Sequence, residues 1–232
     1  MHPFRDRRDA GRRLARRLQA YRRVPDVLVL ALPRGGVPVG YEIAISLGAP
    51  LDVLVVRKLG VPGHPELAMG AIASGGIQVV DQHIVNMLGI SREAFEAVEA
   101  RERDELARRE GAFRSGRAPL DVTGKVAILV DDGLATGASM AAAIDALRTR
   151  SPARLVAAVP VAPPDTCQAL RERADDMICL ITPDRMRAVG LWYEDFEQTS
   201  DAEVRQLLDA AARELPAYRS TAAAASRAAT AR

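Results

Sequence analysis

Only two cysteines, one tryptophan and four each of tyrosine and phenylalanine occur in the 232 residues. Cys167 and Cys179 are too few and too isolated for a disulfide framework or a thiolate metal site, so two free thiols in a reducing compartment are expected. No apolar segment reaches the ~18 residues that a membrane-spanning helix needs, and the Arg-rich start lacks the apolar core of a secretion signal. The expected location is therefore the cytoplasm, with no membrane partner. The pattern G-x-x-x-x-G-K-[S/T] is missing, which leaves a nucleoside-triphosphate P-loop without support. A formal net charge of +2 gives no overall bias toward polyanions.

An apolar content of 48% in a chain of this length suffices for one sizeable α/β domain. Apolar runs and helical periodicities alternate: strand 27–32, helix 39–47, strand 51–56, a shorter strand or hairpin at 67–80, helix 91–113, strand 126–131, helix 138–150, strand 154–160, helix 164–173, strand 177–181 and helix 201–213. That alternation predicts a doubly wound, mostly parallel sheet flanked by helices, in a single domain over 1–219. Within Ala68 to Val80, Gly75-Gly76 reads as the turn of an antiparallel flap. The tail 220–232 is Ala, Ser, Thr and Arg without apolar periodicity beyond alanine, and is expected to be disordered.

The stretch Val126 to Ser139, VAILVDDGLATGAS, carries the most chemistry. Its five apolar residues suit a strand buried on both faces, which puts Asp131 and Asp132 at the carboxyl end, where open α/β sheets bind ligands. Ionised carboxylates only accept hydrogen bonds, so an adjacent pair suits vicinal hydroxyls such as those of a ribose. Ala135, Thr136, Gly137, Ala138 and Ser139 follow. They are small, two carry hydroxyls, and they open a helix whose N-terminus favours a phosphate. Each half alone reads as an ordinary strand-ending turn and cap; joined in this order they point to a sugar-phosphate cradle.

A second strand end, Pro33-Arg34-Gly35-Gly36-Val37-Pro38, has the same form. Paired glycines permit close backbone approach, and the Arg34 fork suits phosphate oxygens. A third apolar run ends in Arg57-Lys58 and leads into a Gly- and Pro-rich segment from Gly60 to Glu66.

The four apolar residues, acidic pair and T-G loop across Ile128 to Ser139 resemble the signature of the type I phosphoribosyltransferases. Together with R-G-G-V-P, R-K-L-G-V-P-G-H-P-E and W-Y-E-D-F, the resemblance covers most of Phe4 to Leu208 and is similar to a bacterial group of that family. It implies that Asp131 and Asp132 meet the ribose hydroxyls of phosphoribosyl pyrophosphate, that Ala135 to Ser139 hold its 5-phosphate, and that Arg34, Gly35 and Gly36 hold its pyrophosphate. It further implies that Arg57 and Lys58 stabilise the leaving group, and that 57–80 forms a mobile catalytic loop and flap. His64 and Glu66 lie in that loop, where a lone histidine is ordinarily solvated. The implied reaction is Mg²⁺-dependent transfer to a nitrogenous acceptor, with Mg²⁺ carried by the substrate rather than by a preformed protein site. Dimerisation is common among members of the family.

Members acting on 6-oxopurines usually carry an acid just before T-G; here Ala135 stands there, which argues against hypoxanthine or guanine. The acceptor is expected near the C-terminal hood and helix, 183–213. Trp192 or Tyr193 would stack on a flat ring there, and Asp195 would read an exocyclic amine or ring N–H. The alternative for the same cluster is an anchor for the last helix.

The segment Arg5 to Arg23 carries nine arginines against two acids. Leu14, Leu18 and Tyr21 recur at helical spacing, so the expected helix docks one face and turns its arginines to solvent. No aromatic platform is interleaved with them, which argues against nucleic acid. The helix near 91–113 has sparse apolar positions at Phe95, Val98 and Leu106 and is expected mostly to face water, with Ser91 as its N-cap. A second functional reading remains: a non-catalytic sensor of phosphoribosyl pyrophosphate or a nucleotide, acting on RNA or a protein.

Overall fold

The computed structural model describes residues 3–114, 117 and 119–215; the expected disordered tail lies outside them. In chain order its elements are α1 (Arg7–Arg17), β1 (Val27–Ala31), α2 (Gly36–Leu47), β2 (Leu51–Val53), β3 (Val56–Val61), β4 (His64–Ala73), β5 (Ile77–Val80), α3 (Gln82–Met87) and α4 (Arg92–Arg114). They continue with β6 (Val126–Val130), α5 (Ala138–Arg148), β7 (Arg154–Val161), α6 (Pro164–Arg171), β8 (Asp176–Ile181) and α7 (Asp201–Glu214).

The apolar runs form a five-stranded parallel sheet in the order β2-β1-β6-β7-β8. Every residue of β1 and β6 is buried, as continuous apolar runs require when helices cover both faces. Strand alternation divides them between two cores. Val29, Ala31, Ile128 and Val130 pack with Leu14 of α1, Ile43 of α2 and Leu208 of α7, whereas Leu28, Leu30, Ala127 and Leu129 pack with Met140 and Ile144 of α5 and Leu170 of α6. The sheet is thus doubly wound, as its sequence predicts.

A second sheet, β3-β4-β5, is antiparallel and corrects the expectation for 51–66. The run 51–56 divides: β2 stops at Val53, and Val56 already belongs to the second sheet. Arg57 and Lys58 therefore lie inside β3, not at the end of a core strand. The expected mobile loop from Gly60 to Glu66 is a tight hairpin in which Val61 pairs with His64. Pro62-Gly63 makes the turn, and Leu59, Val61, Met69 and Ile72 are buried beneath it. Proline and glycine, read as breakers, here connect two strands. The flap expected at 68–80 forms, and begins as early as Val56.

Two further expectations change. Cys167 of α6 and Cys179 of β8 are bridged by a disulfide rather than free: α6 packs back on the strand that follows it, so residues 12 apart in sequence approach to a Cα separation of 6.9 Å. In α4, capped by Ser91, Glu102 and Arg114 are buried with Val98, Leu106 and Phe113. Arg114 is held by Asp52, Glu110 and the Val53 carbonyl, so the helix turns charge inward as well as outward.

Candidate functional site

From β1 the chain crosses through α2 to β2 on one side; from β6 it crosses through α5 to β7 on the other. The winding direction therefore reverses between β1 and β6, which pair in parallel from Val27↔Val126 to Ala31↔Val130. At such a switch point the two carboxyl-terminal loops part and leave a crevice. The β1 loop is Leu32 to Gly35, and the β6 loop is Asp131 to Gly137.

The two loops touch. A methyl group built on Gly35 would overlap the Asp132 carboxylate, and one on Gly36 would sit 2.7 Å from the Val130 carbonyl oxygen and 3.0 Å from Asp131 Cα. Sequence reasoning assigned these glycines to close approach of a ligand; here they admit the acidic pair itself. The Pro33–Arg34 peptide is cis.

Asp131 and Asp132 form the floor of the crevice. Asp131 Oδ1 accepts from the Asp132 backbone N–H at 2.8 Å. Burial, then repulsion from Asp132, pushes the Asp131 carboxyl well above its ordinary range. Burial also raises Asp132, opposed by a hydrogen bond and the charge of Arg7. Arg7 Nε donates to Asp132 Oδ2 at 2.7 Å, its Nη1 donates to the Glu197 carbonyl at 2.7 Å, and its guanidinium lies 3.8 Å from the Phe196 ring centroid. The arginine side chain is only 12% exposed, contrary to the expectation that the N-terminal arginines face solvent. Asp6 caps α1 by accepting from Asp9 N–H, which makes Arg7 the first helical residue and aims it into the crevice. In the sequence it is one of nine arginines with no local mark.

The T-G loop is placed as its composition suggests. Ala135, Thr136, Ala138 and Ser139 are exposed, and Gly137 takes φ +72° at the start of α5. This left-handed conformation favours glycine. Gly137 has no side chain to cap the helix, so apart from the Ala138 N–H, which reaches Thr136 Oγ1 at 3.4 Å, the first-turn N–H groups have no side-chain acceptor among the described residues. Thr166 of α6, which sequence reading passed over, donates to the Ala135 carbonyl at 3.1 Å and props the loop from below.

The expected cations are engaged elsewhere. Arg57 Nε donates to Glu102 Oε2 of α4 at 2.8 Å, and Lys58 Nζ lies 3.3 Å from Glu66 Oε2. Arg34 stays at the crevice, half exposed and only 3.4 Å from Asp201 Oδ1 at the start of α7.

In the C-terminal cluster Tyr193 is buried between Phe4, at 5.3 Å, and Phe196, at 4.8 Å, and its hydroxyl donates to the Asp132 carbonyl at 2.6 Å. Burial raises its pKa, so it keeps the proton it donates. Tyr193 therefore supports the acidic pair instead of offering a free face to a ring. Trp192 is half-buried and, like Val189 and Phe196, packs against the cluster of Phe4, Ala10, Val161 and Tyr193. Asp195 is exposed and accepts from the Glu197 N–H at 3.1 Å.

The model of a phosphoribosyl transferase domain matches residues 5–194. Two Mycobacterium tuberculosis proteins provisionally named phosphoribosyl transferases, MT0597 and Rv0571c, are each 49% identical over 214 residues, covering 92% of this chain and 48% of theirs. The chain thus spans about half the length of the curated relatives it matches. The crystal structure of TT1426 from Thermus thermophilus superposes with a TM-score of 0.81 at 42% identity, covering 90% of this chain and 98% of that one. The matched residues run from the arginine helix through both crevice loops to the tyrosine beneath the acidic pair, and on that extent the chain belongs to the phosphoribosyl transferase domain family.

Proposed function

We propose that the chain binds phosphoribosyl pyrophosphate across the β1/β6 crevice and transfers its phosphoribosyl group to a nitrogenous acceptor, releasing pyrophosphate. The observation that carries the reading is the pair Asp131 and Asp132, held at a switch point between a glycine loop bearing Arg34 and the open N-terminus of α5. Ribose hydroxyls would donate to the two carboxylates, the 5-phosphate would sit on Ala135 to Ser139, and the pyrophosphate would lie by Arg34, Gly35 and Gly36. The bond from the anomeric carbon to the pyrophosphate oxygen breaks as a bond to the acceptor nitrogen forms, and the electron pair leaves with pyrophosphate. The work left to the protein is positioning and charge stabilisation.

Mg²⁺ suits this donor set, because carboxylate oxygens and substrate oxygens are the hard ligands it prefers. When bound, it would neutralise charge on the pyrophosphate, and Asp131 and Asp132 are the protein groups chemically fitted to hold its complex. The acceptor side is assigned to Trp192 and Asp195, with Tyr193 as the support beneath.

The sensor reading has one observation in its favour: Arg57 and Lys58, the cations expected at the leaving group, are paired with Glu102 and Glu66. Pyrophosphate release from phosphoribosyl pyrophosphate and Mg²⁺, with pooled purine and pyrimidine bases and mass detection of products, separates the two. A base-dependent nucleotide is expected; binding without release would favour the sensor.

A further inference from the structure

A cavity of about 390 Å³ opens beside the β1 loop, with Arg34 on one wall, Arg108 and Arg109 of α4 on another, Asp201 at its edge and Phe113 at its base. Three guanidiniums thus face one space with a single lining carboxylate. Glu105, outside it, draws on Arg108 through two contacts of 2.7 and 2.8 Å and on Arg109 Nε through one of 2.7 Å. The hydrogen bond of Arg109 to Glu105 uses its Nε, and the Arg34–Asp201 contact of 3.4 Å is long for charged partners. Arg34 on the cavity wall is followed in the chain by Gly35, where an added methyl group would overlap the Asp132 carboxylate.

We propose that Arg108 and Arg109 complete the pyrophosphate subsite with Arg34, so that α4 rather than β3 supplies its cationic wall. The inference rests on the function proposed above and deepens it. Arg109 follows Glu102 by seven residues, about two helical turns, so the helix that holds Arg57 through Glu102 carries Arg109 further along the same side. The ligand is a polyoxyanion with several charges on adjacent phosphoryl groups, which planar forks grip in pairs. Asp201 occupies Arg34 in the ligand's place and is displaced by it.

The test is calorimetric titration of inorganic pyrophosphate and, separately, of ribose 5-phosphate into the wild type, Arg108→Ala with Arg109→Ala, and Asp201→Asn, each checked by thermal melting. The double variant is expected to lose at least about tenfold in pyrophosphate affinity and to keep its affinity for ribose 5-phosphate. Asp201→Asn, which frees Arg34, is expected to bind pyrophosphate more tightly, a gain that damage to the fold would not produce. Unchanged pyrophosphate affinity in the double variant overturns this inference alone; a wild type that takes ribose 5-phosphate but not pyrophosphate overturns it together with the placing of pyrophosphate by Arg34, Gly35 and Gly36. A wild type that binds neither overturns the proposed function with it.

Discussion

A carboxylate buried beside another carboxylate favours its protonated form, and Asp131 is in that position. An acid whose pKa is raised by folding adds stability below its ordinary value of 3.8 and loses it as pH rises through the folded value. Asp131→Asn keeps an oxygen for the Asp132 N–H and removes the charge. Its melting temperature is expected to exceed wild type at neutral pH and to converge with it in acid; a variant less stable at pH 7 would contradict the assigned burial cost. Arg7 acts in the opposite sense on Asp132. In Arg7→Ala that carboxyl titrates higher, so the pH at which phosphoribosyl pyrophosphate binding sets in should move up, as read from affinity against pH. An unmoved midpoint would leave Arg7 a purely structural role. The acidic pair was legible because two acids end an apolar run. Arg7 was not, because only the turn at Asp6 distinguishes it from its neighbours.

Between elements, the flap is tied to α4 by Arg57 and Glu102. Removing one partner of a fully buried pair costs ~3–5 kcal/mol. The Arg57 side chain retains 27% exposure, so Glu102→Ala should cost about 2 kcal/mol, measured by denaturant unfolding. A change within about 0.5 kcal/mol would show the tie to be incidental. Helices were read well where the apolar period is clear: 201–213 against Asp201–Glu214, which Ser200 caps, and 138–150 against Ala138–Arg148. The hairpin at Pro62-Gly63 was missed because a turn between paired strands and a mobile loop share the same residues, and only cross-strand burial of Leu59 and Met69 separates them. The Cys167–Cys179 bridge was missed because spacing alone does not fold α6 back onto β8.

For the whole molecule, the decisive feature is the reversal of winding between β1 and β6, which sets a glycine loop and an acidic loop side by side. Alternating strands and helices were enough to foresee the layers, and the two loop motifs were enough to mark the two loops that meet at the crevice. The pairing of β1 with β6 depends on contacts between residues 27–31 and 126–130, too distant in sequence for local pattern to reveal. The most direct test is titration of phosphoribosyl pyrophosphate with Mg²⁺ into the wild type and into Asp131→Asn with Asp132→Asn, both confirmed as folded by circular dichroism. The account predicts binding to the wild type that is abolished in the double variant; wild-type affinity in that variant would contradict it.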